Sequence, residues 1–134
     1  MKKTIFLIIL PIFLVLSCSQ PNLTNTITRK TDFLPVTLVS MRDTVKVGQP
    51  VSINLKAVAT NGCWRKLRHS MSQSTDYHLL FTAKGDYESS GECSDNLVQK
   101  DSMFNFTLPK AGKYYIQLNE SPLKVKTDSI QVIN

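Results

Sequence analysis

Trp64-Arg65-Lys66-Leu67-Arg68-His69 is the densest basic stretch of the chain, and an aromatic residue opens it. Arginine and lysine hold carboxylate or phosphate, arginine through a planar fork, while an indole can stack on a sugar face. Trp64, Arg65, Lys66 and Arg68 are therefore candidate ligand-binding residues for an anionic glycan or a lipid head group. The same composition describes a solvated strand face beside a buried tryptophan, the more ordinary outcome for such a run. His69 and Met71 would share one face of a strand, with His78 and Met103 elsewhere. Imidazole and soft sulfur ligands suit copper. A surface histidine beside a core-packing methionine accounts for the first two equally well. Asp86, Glu88, Glu92 and Asp95 fall in one expected loop as hard oxygen donors, but their spacing matches no EF-hand, and a solvated acidic loop is the expectation.

Motifs of catalysis are missing from the sequence. There is no G-x-S-x-G, H-E-x-x-H, P-loop or glycine-rich dinucleotide turn. His69 and His78 are the only histidines, and neither is flanked by a recognisable relay partner. The expectation is a non-catalytic protein with no cofactor and no metal site.

The N-terminus carries a different kind of signal. Lys2 and Lys3 precede a 12-residue apolar run, Ile5 to Leu16, interrupted by Pro11. Spanning a bilayer takes ~18 residues, so a cleaved signal peptide over residues 1–17 is the better reading. The run ends in Val15-Leu16-Ser17-Cys18. This resembles the lipobox of bacterial lipoproteins, with an aliphatic residue at −3, a small one at −1 and cysteine at +1; Leu16 at −2 is bulkier than usual. The resemblance implies a diacylglyceryl thioether on Cys18, cleavage before it and acylation of the new amine. Two or more acyl chains anchor stably where one binds marginally. Membrane attachment through Cys18 would place the protein in the cell envelope, facing the periplasm or the exterior. Ser19 rather than Asp follows the cysteine, which in proteobacterial sorting resembles outer-membrane delivery. The alternative, ordinary signal-peptidase cleavage, leaves Cys18 as an unexplained odd thiol.

Removing Lys2 and Lys3 with the signal lowers the formal charge from +6 to +4. A mildly basic mature chain favours anionic partners, and export argues against nucleic acid. Ser19 to about Lys30 is polar and lacks apolar periodicity, so residues 18–34 are expected to form the lipidated N-terminus and a flexible tether. Residues 35–134 are expected to fold as one domain.

That domain reads as all-β. Val51, Ile53, Leu55, Ala57 and Ala59 alternate with polar residues, as in a strand packed on one side. Similar patterns occur at Val36–Val39, Thr44–Val47, Tyr77–Ala83, Phe104–Leu108, Tyr114–Leu118 and Ile130–Asn134. About seven or eight short strands spaced by roughly ten residues indicate a sandwich. Val47-Gly48-Gln49-Pro50-Val51 resembles the strand opening of bacterial immunoglobulin-like domains. Leu108-Pro109-Lys110-Ala111-Gly112-Lys113-Tyr114 resembles their approach to the penultimate strand, where the tyrosine packs at a sheet corner. The resemblance to immunoglobulin-like or fibronectin-III-like domains implies an antiparallel β-sandwich.

With Cys18 lipidated, Cys63 and Cys93 remain as an even pair in an oxidising compartment, and a disulfide between them is expected. It would clamp a polar loop to a strand end. A metal site is a weaker reading of the pair, because neither cysteine belongs to a C-x-x-C element.

The leading expectation is thus a lipid-tethered interaction module whose recognition loops lie around Trp64–His69 and Tyr87–Asp95. Its partner would be an anionic glycan, a lipid head group or another envelope protein. A second expectation is a protease inhibitor that inserts one of those loops into an active site. A third is metal handling: the His/Met set faintly resembles that of periplasmic copper chaperones, without their paired, spaced ligands.

Overall fold

The computed structural model describes residues 26–121 and 123–134, all as strands, turns and loops. The expected signal segment, Cys18 and the first part of the expected tether lie outside the described residues. Nine strands follow in order: β1 (Thr28–Leu34), β2 (Val36–Ser40), β3 (Thr44–Lys46), β4 (Pro50–Ala59), β5 (Trp64–Thr75), β6 (His78–Ser89), β7 (Val98–Thr107), β8 (Gly112–Ser121) and β9 (Lys124–Ile133). They form two sheets, and the fold is a β-sandwich. β2, β4 and β7 make the smaller sheet, and the other six make the larger.

Strand chemistry follows the alternation. Val51, Ile53, Leu55, Ala57 and Ala59 of β4 are all buried. Pro50 heads that strand, where an amide donor is dispensable. Pro109 follows the end of β7, and Pro35 stands between β1 and β2 where the chain passes from the larger sheet to the smaller. Phe81 of β6 fills the space between the layers, its ring 5.2 Å from that of Phe104 and 6.4 Å from that of Phe106 on β7. Tyr114, Ile116 and Leu118 of β8 complete the core, with Tyr77 packed on Tyr114 at 5.0 Å.

In the larger sheet, β6 is central. β5 runs antiparallel along one edge of it. Its other edge is shared: β8 pairs in parallel with His78–Phe81, and β1 pairs antiparallel with Ala83–Ser89. β3 and β9 are also parallel. The sheets are therefore antiparallel except at these two ladders, a departure from the fully antiparallel expectation.

Two further differences concern strands the alternation did not reveal. β1 occupies Thr28–Leu34, inside the stretch expected as tether. Only Leu34 of this strand is buried. Its other inward positions, Thr28, Lys30 and Asp32, alternate with residues that are just as polar, so no period marks the strand. β5, a strand expected around Trp64–Met71 from its residues and not from alternation, shows no apolar period because Leu67 is its one buried residue. A bulge at Lys66 and Leu67, opposite Gly85, also breaks the period there, with Lys66 at φ 49°. Such a bulge re-aims side chains and sharpens the twist.

Candidate functional site

The basic stretch lies at the start of β5, alongside the far half of β6 and β1. Register places Thr31, Asp86 and Arg65 in one row across the three strands, with Arg29 and Glu88 beside it. These side chains point away from the core. Lys30, Tyr87 and Trp64 form the adjacent row, on the inward face. Residues of both rows and Lys66 border an open groove of about 400 Å³, lined by Arg29, Lys30, Thr31, Arg65, Lys66, Asp86, Tyr87 and Glu88. A second hollow continues it past Ile27 and Ser90.

The charges of the groove are unequally satisfied. Arg29 pairs with Glu88 at 3.1 Å, and Lys30 lies 3.5 Å from Asp32. Arg68 donates through both guanidinium nitrogens to Asp86, at 3.2 and 3.1 Å, and Thr31 donates to the same carboxylate at 2.8 Å. The Arg68 guanidinium first, and then the Thr31 hydroxyl, hold the Asp86 carboxyl below its usual range. Neither Arg65 nor Lys66 has an ion-pair partner among the described residues. Both are exposed.

The four residues expected to bind ligand therefore separate. Arg65 and Lys66 face the groove. Arg68 is engaged by Asp86. Trp64 is turned inward, its ring edge-on to Tyr87 at 5.3 Å and packed against the core, with the Lys30 ammonium 5.6 Å from its centroid. Gly85 makes that position possible: a Cβ there would come within 2.8 Å of Leu34 Cδ1 and 3.0 Å of Trp64 Cε3. Trp64 thus packs against the core beside this corner rather than serving as an exposed stacking platform. Arg29 and Lys30, the cations that β1 contributes, fell in the expected tether. Only the pairing of β1 with β6 brings them to Arg65.

The disulfide joins Cys63 to Cys93 with a Cα–Cα distance of 5.4 Å, clamping the β6–β7 loop to the start of β5 as expected. The Gly62 amide donates to the Ser94 carbonyl at 2.8 Å, and a Cβ at Gly62 would run into the Ser94 side chain. The Glu88 amide donates to the Cys63 carbonyl at 3.0 Å, and the Tyr87 hydroxyl lies 3.3 Å from the Cys93 sulfur. The bridge therefore stands behind the groove and ties its β5 and β6 walls together. Asp86 and Glu88, expected in a loop with Glu92 and Asp95, belong to β6 instead.

The histidines and methionines do not converge. His69 and Met71 do share a face of β5, but it is the inward face, and the roles expected of them are reversed. His69 is half-buried and Met71 is 39 % exposed. His78 stacks on Tyr115 on the outer face, and Met103 is exposed on β7. Among the described residues, no group of three or more His, Cys, Asp or Glu side chains is placed to hold a metal ion.

His69 has a physical consequence of its own. Its ring meets Phe104 edge-on at 6.5 Å, and both ring nitrogens are buried without a hydrogen-bond partner among the described residues. Burial first, and then the Lys100 charge, push its pKa down from 6.5, against a smaller opposing effect of Asp101. A depressed pKa means that the folded state takes up a proton less readily than the unfolded chain. The stabilisation is complete above the unfolded value and is lost as pH falls from about 6.5 through the folded one. The urea midpoint is expected to drop between pH 7.5 and 5.5, and His69→Leu should flatten that drop. An unchanged slope in the variant would assign the pH dependence to other groups.

No family model matches this chain, and neither a curated protein nor a solved structure matches it.

Proposed function

We propose that this chain is a lipid-anchored envelope protein whose sandwich domain is a non-catalytic binding module for anionic groups, carboxylate or phosphate. The observation that carries this reading is the groove at the β1–β6–β5 surface. Four cations border it, and two of them, Arg65 and Lys66, have no carboxylate partner among the described residues. A cation left free in a concave site is available to a ligand without first breaking an internal pair. The disulfide supports export, since such bridges persist in oxidising compartments. The Val15-Leu16-Ser17-Cys18 motif supports attachment through lipid on Cys18. Within the sandwich class, the order of the Val47–Val51 and Leu108–Tyr114 motifs supports an immunoglobulin-like variant in which β6 and β8 run parallel.

Two measurements test this. The membrane-extracted protein should have the mass of a chain starting at Cys18 plus its acyl groups, and Cys18→Ser should move it to the soluble fraction. Titration with an oligogalacturonate and with glycerol phosphate should show binding that weakens with salt. In the Arg65→Ala/Lys66→Ala double variant that affinity should fall by roughly tenfold or more, since charge-assisted contacts contribute ~1.5–3 kcal/mol each. Equal binding by the variant, or none by the parent chain, would sink the groove as the site.

A further inference from the structure

The register of the larger sheet brings three features to one end of the sandwich. β8 runs parallel to β6, with His78 level with Tyr115 and Phe81 with Leu118. The β8–β9 turn therefore points to the same end as the close of β6 at Ser89. Thr28 pairs with Ser89, so the chain arriving from Cys18 enters there too. The C-terminal residues, paired with β3 at Lys46, lie at the opposite end. The groove with Arg65 and Lys66 opens beside the entry point.

The turn itself presents apolar surface to water. Leu123 is 99 % exposed and Val125 53 %, and Ile27 near the chain entry is 49 % exposed. No pairing or packing need of the fold explains a leucine held fully in solvent at a hairpin tip. Apolar side chains flanked by lysines are the composition of surfaces that enter the boundary between head groups and acyl chains. Lys124 is paired with Glu120 at 2.8 Å, while Lys126 stands next along β9.

We infer that this end of the domain docks onto an anionic phospholipid bilayer, with Leu123 and Val125 entering the interface and Arg65 and Lys66 holding lipid phosphates. The inference deepens the anionic-group reading above and rests on the lipid anchor proposed there. Chain length supports that occupant. Cys18 and Thr28 are ten residues apart, a maximum reach of roughly 35 Å. That is about one domain's diameter, so an anchored domain stays within contact of its own membrane. Glu92 and Asp95 belong to the loop that leads into β7 and the smaller sheet. The disulfide holds that loop beside the start of β5, so its two carboxylates offset part of the attraction exerted by Arg65 and Lys66.

The test uses the mature chain with Cys18→Ser, so that no lipid of its own can carry it to vesicles. It should co-sediment at low salt with phosphatidylglycerol-containing vesicles and not with pure phosphatidylcholine. Each of Arg65→Ala and Lys66→Ala should weaken this by roughly fivefold, the usual effect of one cation near an anionic surface. Leu123→Ser/Val125→Ser should weaken it by about tenfold, with an unchanged far-ultraviolet spectrum. A tryptophan placed by Leu123→Trp should shift its emission to the blue on the anionic vesicles. Absence of vesicle binding, while oligogalacturonate or glycerol phosphate still binds, would overturn docking and leave the groove reading in place. Undiminished binding by Leu123→Ser/Val125→Ser would overturn the role of the hairpin. Failure of vesicles and soluble anions alike would remove both.

Discussion

Replacing Cys63 and Cys93 by serine is expected to lower the thermal midpoint of the domain by roughly 15 °C. The bridge closes a loop of 30 residues. In the chain-entropy model such a closure removes unfolded-state freedom worth ~3–4 kcal/mol. Small domains have only about 5–15 kcal/mol in total, and each kcal/mol shifts their midpoint by several degrees. The surrounding contacts cannot replace it. Of the neighbouring bonds, only that from the Gly62 amide to the Ser94 carbonyl joins the loop to the start of β5; the Glu88 amide to the Cys63 carbonyl extends the β5–β6 ladder, and the Cys63 amide to Asn61 Oδ1 lies within one turn. The loss should also reach the groove. Cys63 immediately precedes Trp64 and Arg65, so the start of β5 would fray and anion affinity would fall with stability. Differential scanning calorimetry of the oxidised protein and the double serine variant measures the first effect. Intact-mass alkylation of unreduced protein checks its premise: two free thiols would contradict the pairing.

Phe81→Ala is expected to cost about as much, ~3–5 kcal/mol, as large aromatic truncations in cores do. Phe81 is fully buried on β6, the strand that carries three partners, and its ring touches Phe104 and Phe106 of the opposite sheet. Truncation would leave a cavity where aromatic rings join the two layers. β5 and β1 pair with β6 alone, and β8 is held between β6 and β9, so none can move inward without breaking its ladder. Urea denaturation should show a lower midpoint with little change in slope. A cost below 1 kcal/mol would mean that the layers close around the gap, and that their spacing is set elsewhere. Phe81 is more than 15 residues from Trp64 in sequence and is not part of the groove. Residual folded variant should therefore bind anions with unchanged affinity, unlike the disulfide variant.

The sequence made the one-sided strands legible. Val51 to Ala59 and Tyr114 to Leu118 bury alternate residues, and Phe104 and Phe106 are half-buried ahead of buried Leu108, because one face meets the opposing sheet, and alternation records that directly. β1 and β5 left no such record. Their inward positions reach the open end of the sandwich or the edge of the sheet, where a polar residue is as well placed as an apolar one. His69 and Met71 show the same limit at the level of single residues. Period two puts them on one face, but which of the two meets the opposite sheet depends on where β7 passes, and Phe104 of β7 is what covers His69.

From the sequence alone came the all-β class, the pairing expected of Cys63 and Cys93, the resemblance of Val15–Cys18 to a lipobox and the basic character of Trp64 to Arg68. Each of these is written in composition or short-range order. The tertiary structure decided how the basic residues divide. Pairing with β6 delivered Arg29 and Lys30 from the expected tether to the wall of a groove. It also gave Arg68 to Asp86, turned Trp64 onto Gly85, and left Arg65 and Lys66 facing outward. Strand partners up to 59 residues apart set those outcomes. The free energy of an ion pair or a packed ring depends on which neighbours arrive, and no local pattern specifies them.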